Sequence, residues 1–485
     1  MHSDIFNNIL KKSKKSKKIF LIDQNRTYKD FYKKTKQFQS FLRNNTKKQS
    51  VISICSNYSL NFVSLIFAAY LNKNIITIIN PNASQKEKLY IIRNSEAHLV
   101  FYEKNLIEKK NEKNSYLGLK YLKFKKNINK ELKLDDRFII YTSGTTNQPK
   151  GAIITNQSMS ANVIAISKDI KLKKNDRCII FSPPSYAMAI SQILTYMNSE
   201  CGIILHRNGL RFPPALIEKI NKYQISILNI SISAYRILKK FIKNNRKFSS
   251  VRIIMSAGMP MNTLIASQFK KFFPKSRIIN CYGCTENSPR ISHYTIPKSL
   301  NGIKNNFPVG KPLDGIKIKI KNKYNSKTGN IFISGTSLMR GYLKNKILNK
   351  KLLNNNWYDT GDLGFFDKNN NLNLVGRGDD TFSVGHQKLC PEEVEYAVQK
   401  KITLKDFVIT KKTHPILNWI PIGLAVKKKN TKINSEFIIN KIKKDLSNYK
   451  IPRKIVFVKK IPRTNYGKLD RKQIQTIANK LYDKQ

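Results

Sequence analysis

Short apolar runs alternate with amphipathic stretches along most of this chain. Val51–Cys55 is apolar enough for a buried strand, and Leu60–Leu71 carries apolar residues at helical spacing. Ile75–Ile79 repeats the strand pattern and stops at Asn80-Pro81. Ser84, followed three residues later by Glu87, has the capping-box signature of a helix start, and His98–Phe101 reads as the next strand. Further β-rich cores fall at Phe138–Tyr141, Cys178–Phe181, Gly202–Leu205, Ile225–Ile230, Val251–Met255 and Ile278–Tyr282. Strands alternating with helices predict an α/β architecture. After Phe307 the rhythm shifts to short strands with polar turns, such as Ile316–Ile320 and Asn330–Ser334, which predicts a β-rich subdomain. The stretch Val375–Gly385 sets glycines around Asp379 and Asp380 and reads as a linker. Pro391 then opens a helix over Glu392–Val398, and about 100 residues of α+β pattern follow. The expected division is a large domain, residues 1–378, of mixed sheets flanked by helices plus the β-rich subdomain. Residues 379–485 are expected to form a small α+β domain.

Composition changes this picture little. With 485 residues and 40% apolar content the chain can bury a sizeable core. The charge is unusual: 90 Lys and Arg against 30 Asp and Glu give +60. Residues 379–485 hold 24 basic and 10 acidic residues, about one excess charge per eight positions, and the rest of the chain has the same density. A nucleic-acid-binding face would concentrate its charge and favour Arg, yet 73 of the 90 bases are Lys. The abundance of Lys, Asn and Ile matches the codon bias of an AT-rich genome, and no nucleic-acid partner is expected. Six cysteines are too few for a disulfide framework, and Cys281 and Cys284 form a lone CxxC without a second pair. A basic stretch at Lys11–Lys18 has no apolar region after it, and the longest apolar run, Phe62–Tyr70, is too short to span a bilayer. The expectation is a cytoplasmic protein without an integral membrane segment.

The densest chemical signal is Tyr141-Thr-Ser-Gly-Thr-Thr-Asn-Gln-Pro-Lys-Gly151, directly after an apolar strand. Thr142, Ser143, Thr145 and Thr146 surround Gly144, where a tight turn can present backbone N–H groups to an anion. Lys150 adds a cation. Pro149 and Gly151 depart from the Walker pattern, so the loop suits a polyphosphate without being a P-loop. This segment resembles the phosphate-binding signature of the adenylate-forming superfamily of acyl-CoA synthetases, stand-alone adenylation enzymes and luciferases. The resemblance continues in order along the chain: Asn280-Cys-Tyr-Gly-Cys-Thr-Glu286, Trp357-Tyr-Asp-Thr-Gly-Asp362, Gly376-Arg-Gly-Asp-Asp380 and Pro462-Arg-Thr-Asn-Tyr-Gly-Lys468.

The resemblance implies ATP and Mg²⁺ as cofactors. It places adenine against Tyr282 and Gly283 with Asn280 at its edge, and the metal at Glu286 with Thr285 and Thr145 nearby. Asp362 and Arg377 would hold the ribose, Asp379 would be the hinge, and Lys468 would be the catalytic cation with Lys150. It also implies an acid pocket at Tyr186, Ser256, Ala257 and Gly258. Ala187 to Ala189 include no aspartate to hold a substrate ammonium, which favours a simple carboxylic acid. No Asp-Ser-Leu phosphopantetheine site is present, so the thiol comes from CoA or from a separate carrier protein. The expected activity is ATP-dependent activation of a carboxylic acid to an acyl-adenylate, then acyl transfer to the thiol. The alternative is a stand-alone enzyme loading a carrier protein, with an amino acid as one option. His386 reads as a surface residue and Cys390 as packing.

Overall fold

The computed structural model describes residues 4–103, 114–124, 130–142, 149–242, 246–259, 261–300, 306–322, 327–378, 380, 382–384, 387–415, 417–428, 431, 433–443, 445–446, 448–464 and 469–482. The chain divides into two compact units. One comprises Met1–Ile318 with Ile333–Tyr358, the other Lys319–Phe332 with Asp359–Gln485.

The first unit begins its α/β pattern where the sequence places it. Strand β1 (Val51–Cys55), helix α1 (Leu60–Leu71), strand β2 (Ile75–Ile78), helix α2 (Gln85–Ser95) and strand β3 (Ala97–Tyr102) follow in order. β1 lies between β2 and β3, parallel to both, and all its positions are buried. That is why these strands read as continuous apolar runs: a parallel sheet is covered on both faces. Ser84 caps α2 by accepting from the backbone N–H of Glu87 at 3.2 Å. Strand β4 (Asp136–Thr142) runs parallel to β2, and β5 (Lys150–Thr155) returns antiparallel to β4. Nine of the residues of α1 are buried, so its apolar run belongs to the core; no helix among the described residues is long and apolar enough to cross a membrane.

After helix α3 (Asn156–Ile170) a second sheet is built from β6 (Arg177–Ile180), β7 (Gly202–Leu205), β8 (Ile227–Asn229), β9 (Ile253–Ala257) and β10 (Arg277–Gly283). Helix α4 (Ala187–Asn198) connects β6 to β7. The strand order β7-β6-β8-β9-β10 is parallel throughout, and β11 (Arg290–Thr295) closes antiparallel on β10. Ile179, Ile204, Leu228, Ile254 and Ile278 from these strands share one core with Leu216, Tyr235 and Phe269 of covering helices. Late in the unit, β12 (Gly341–Tyr342) comes back to pair antiparallel with β5.

The second unit contains most of β13 (Trp357–Phe366) and its antiparallel partner β14 (Leu372–Arg377). Helix α5 (Pro391–Lys401) starts on its proline, as the sequence predicts. The hairpin Asp406–His414 with Asn418–Val426, the parallel strand Lys454–Phe457 and helix α6 (Arg471–Tyr482) complete the α+β pattern. The expected fold class, a mixed α/β protein with a smaller α+β part at its end, is the one observed.

A charged node ties this unit together. Arg471 meets Asp380 at 3.3 Å and Glu392 and Glu395 each at 3.2 Å. One guanidinium cannot neutralise three carboxylates, and burial together with the charge of Glu392 pushes Glu395 up to about 7. Its folded value lies above the unfolded one, so the folded state holds the extra proton between about pH 4.5 and 7. The contribution is therefore present below the unfolded value and lost as pH rises through 7. Chemical unfolding at pH 5, 6 and 7 should show Glu395→Gln removing a downward slope of up to about 1.4 kcal/mol per pH unit. Equal slopes in the two proteins would refute this assignment.

Candidate active site

The hairpin β4–β5 carries the hydroxyl-rich loop. Thr142 and Lys150 are register partners at its base, and the Thr142 hydroxyl donates to the Lys150 carbonyl at 3.5 Å. Ser143, Gly144, Thr145 and Thr146 lie outside the described residues. The segment around β12 braces the hairpin along β5 and at the start of β4. The Leu343 N–H donates to the Gly151 carbonyl at 2.8 Å, and the Arg340 N–H to Ile153 at 2.9 Å. The Arg340 guanidinium donates twice, at 2.9 and 2.7 Å, to the fully buried carboxylate of Asp136 at the start of β4. A paired, hydrogen-bonded charge is the form in which a buried carboxylate is tolerated.

The same segment fixes Glu286. β10 ends at Gly283, which passes so close to the Pro289 carbonyl that a Cβ there would stand 2.0 Å from the oxygen. Only glycine permits that approach, and it brings the one-turn helix Thr285–Asn287 back against β11. Asn162 of α3 holds the turn, donating to the carbonyls of Asn287 (3.1 Å) and Arg290 (2.7 Å) and accepting from the Arg290 N–H (3.2 Å). The Met339 N–H donates to the Glu286 carbonyl at 2.7 Å. Glu286 itself is buried, and its Oε1 accepts from the Tyr342 hydroxyl at 2.6 Å, with the Tyr358 hydroxyl 3.1 Å further on. Burial, reinforced by the Glu286 charge, pushes both phenols well above their ordinary range. They remain donors, and the Tyr342 hydroxyl orients the carboxylate. Glu286 Oε2 has no hydrogen-bond partner among the described residues.

The parallel strands β8 to β10 end on the same side, the edge where open α/β sheets present ligand sites. There Ser256 is the register partner of Asn280, and Ala257 of Cys281. The Ser256 hydroxyl is buried without a partner among the described residues. Gly258 adopts φ +88° beside open space. Tyr186 stands at the N-cap of α4, and Tyr282 is buried near the end of β10. Asn280 differs from the sequence-based picture. Its amide donates to the carbonyls of Phe307 (3.3 Å) and Pro308 (2.9 Å), so only its oxygen is left for a ligand.

In the second unit Asp362 and Arg377 are register partners across β13 and β14. The Asp362 N–H donates to the Thr360 hydroxyl at 3.1 Å, and that hydroxyl donates to the Ile331 carbonyl at 2.9 Å. Two residues distant in sequence are thus brought side by side. Asp379, His386 and Lys468 lie outside the described residues. Cys390 is buried, 3.0 Å from Glu392 Oε2, and burial raises its thiol well above the ordinary value, so it packs as a neutral group. None of the six cysteines forms a disulfide.

The sequence reading missed Tyr342, Tyr358 and Asn162. The two tyrosines come from separate segments, and the chain of hydroxyls from Tyr358 through Tyr342 to Glu286 exists only in three dimensions. Asn162 sits within an ordinary amphipathic helix. Arg290 lies four residues beyond Glu286, and the structure buries it to 8% exposure.

Comparison with known proteins agrees with the fold. A family described as "AMP-binding enzyme" matches residues 11–343. A 2-succinylbenzoate–CoA ligase from Bacillus licheniformis is 26% identical over 430 residues, 86% of this chain and 87% of that protein. A D-alanine–D-alanyl carrier protein ligase from the same species is 26% identical over 70% of this chain and 71% of its own length. The solved structure of an o-succinylbenzoate CoA synthetase from Bacillus subtilis, in complex with an acyl-adenylate intermediate, shares the fold. Its TM-score is 0.80 at 20% identity, covering 96% of this chain and 97% of that one.

Proposed function

Since this chain belongs to the AMP-binding enzyme family, we propose that it activates a carboxylic acid with ATP and passes the acyl group to a thiol, as an acid–thiol ligase of the acyl-CoA synthetase type. The observation that carries the reading is the Glu286 turn: a buried, oriented carboxylate held by the segment that also clamps the base of the anion loop.

Each step follows from the chemistry of the residues. Lys150 and the backbone of the loop it ends would hold the phosphates of ATP. Tyr282 would cover adenine with Asn280 Oδ1 accepting at its edge, and Asp362 with Arg377 would hold the ribose hydroxyls. A single carboxylate with one oxygen unengaged fits Mg²⁺, a hard cation that keeps most of its coordination in phosphate and water. When bound, Mg²⁺ would neutralise charge on the phosphates. The acid's carboxylate oxygen attacks the α-phosphorus, the bond to the β-phosphate bridge breaks and pyrophosphate leaves. Lys468 stabilises the developing negative charge. The thiol sulfur then attacks the acyl carbonyl and AMP departs. The unit boundary need not coincide with the pivot; the Asp379 region, flanked by glycines, would absorb the backbone rotation between steps.

CoA is the acceptor favoured by the CoA ligase likeness. The carrier-protein ligase likeness supports a second reading, with a carrier thiol in the same role. Acid-dependent ATP–pyrophosphate exchange across fatty, aryl and amino acids, followed by product analysis with CoA, tests both. Exchange with at least one acid is expected; silence across the panel would refute the ligase reading.

A further inference from the structure

A small cavity of about 20 Å³ lies behind the strand ends, room for a water-sized group. Its walls adjoin both segments assigned to the acid pocket and the turn that carries Glu286. Met188 follows Tyr186, Met255 precedes Ser256, and Pro289 with Arg290 follow Glu286. That continuity makes it the inner end of the acid site. The wall also contains Arg290, whose guanidinium is buried yet meets only sulfur: Cys281 Sγ at 3.0 Å and Met255 Sδ at 3.9 and 4.0 Å. No carboxylate pairs with it among the described residues. Burial raises the Cys281 thiol above its ordinary value, so the sulfur supplies no counter-charge.

An arginine cannot shed its charge as a buried lysine can. A buried guanidinium therefore requires an anion from somewhere. The rest of the wall is arranged for one. Asn229 Nδ2, the Tyr196 hydroxyl and the Thr195 hydroxyl are all buried and lack hydrogen-bond partners among the described residues. All three can donate, and no acidic residue lines the cavity. A water would satisfy the hydroxyls but would leave the guanidinium charge uncompensated.

We propose that the acid this protein activates carries a second carboxylate at the far end of its acyl part, seated against Arg290 with Asn229, Thr195 and Tyr196 as further donors. The proposal rests on the acid-activation reading above, and the cavity's size calls for the tip of a short tail rather than a long alkyl chain.

The test compares chain-matched pairs: butyrate with succinate, valerate with glutarate, and 3-phenylpropanoate with its para-carboxylated counterpart. For each pair the ratio of kcat/KM in pyrophosphate exchange is measured in the wild type, Arg290→Met and Arg290→Lys. The wild type should favour the diacid in at least one pair, and Arg290→Met should lower that ratio by about 30-fold or more. Arg290→Lys, which keeps the charge, should fall between the two. Preference for the monoacid in every pair, or a ratio that Arg290→Met leaves unchanged, would overturn the proposal. Equal ratios in the Met and Lys variants would do the same, since charge would then not be the cause. A binding arm separates this failure from that of the ligase reading. If exchange is silent with every acid, thermal shifts with succinate and glutarate still report the anion site. A shift in the wild type that Arg290→Met loses supports it, and no wild-type shift refutes it.

Discussion

Replacing Lys468 by alanine is expected to lower acid-dependent ATP–pyrophosphate exchange by at least about 10²-fold. The two half-reactions differ in where charge develops. Adenylation builds negative charge on the α-phosphate and the departing pyrophosphate, and a fixed cation there stabilises the transition state more than the ground state. Thioester formation expels AMP from an acyl carbonyl and makes no such demand on that lysine. Acyl-adenylate supplied to the Lys468→Ala protein should therefore be converted to thioester far better than the acid and ATP are. Single-turnover measurements of both steps provide the check. Equal loss in the two steps would contradict a lysine that serves only one of them, and with it the account of a rotating C-terminal segment.

The second large effect belongs to Glu286. Glu286→Gln preserves shape and leaves an amide oxygen to accept from Tyr342, so the hydroxyl chain to Tyr358 survives. What disappears is the negative charge offered to Mg²⁺. Exchange should fall about 10²-fold or more, and the Mg²⁺ concentration giving half-maximal rate should rise. An unchanged melting temperature would show that the loss is chemical. Activity within a few-fold of wild type at every Mg²⁺ concentration would remove Glu286 from the site. The expected loss is large because the carboxylate is buried and held in place, where a charge acts through a lower dielectric than at the surface.

Much of this was legible in the chain before any coordinates. Val51–Cys55, Leu60–Leu71 and Gly202–Leu205 coincide residue for residue with the observed elements, because strand and helix periodicity are local properties. The boundary of the strand expected at Ile225–Ile230 shrank to Ile227–Asn229, since its flanks bond outside the regular ladder. The charge of +60 was also readable as an evenly spread excess of lysine. The anion loop and the Glu286 motif could be located by residue type and spacing alone.

Order along the chain thus determined the alternation of elements, the candidate loop and the carboxylate. Tertiary structure decided which groups meet. It set Tyr342 on Glu286, Asp362 opposite Arg377, and the Asn280 amide on main-chain carbonyls instead of leaving it free. It also turned Arg290 from one of 17 arginines into a buried cation among unpartnered donors. The reason is physical: periodicity and capping depend on neighbours a few residues away. Desolvation and charge pairing depend on what the fold packs around a group, and no window of sequence contains that.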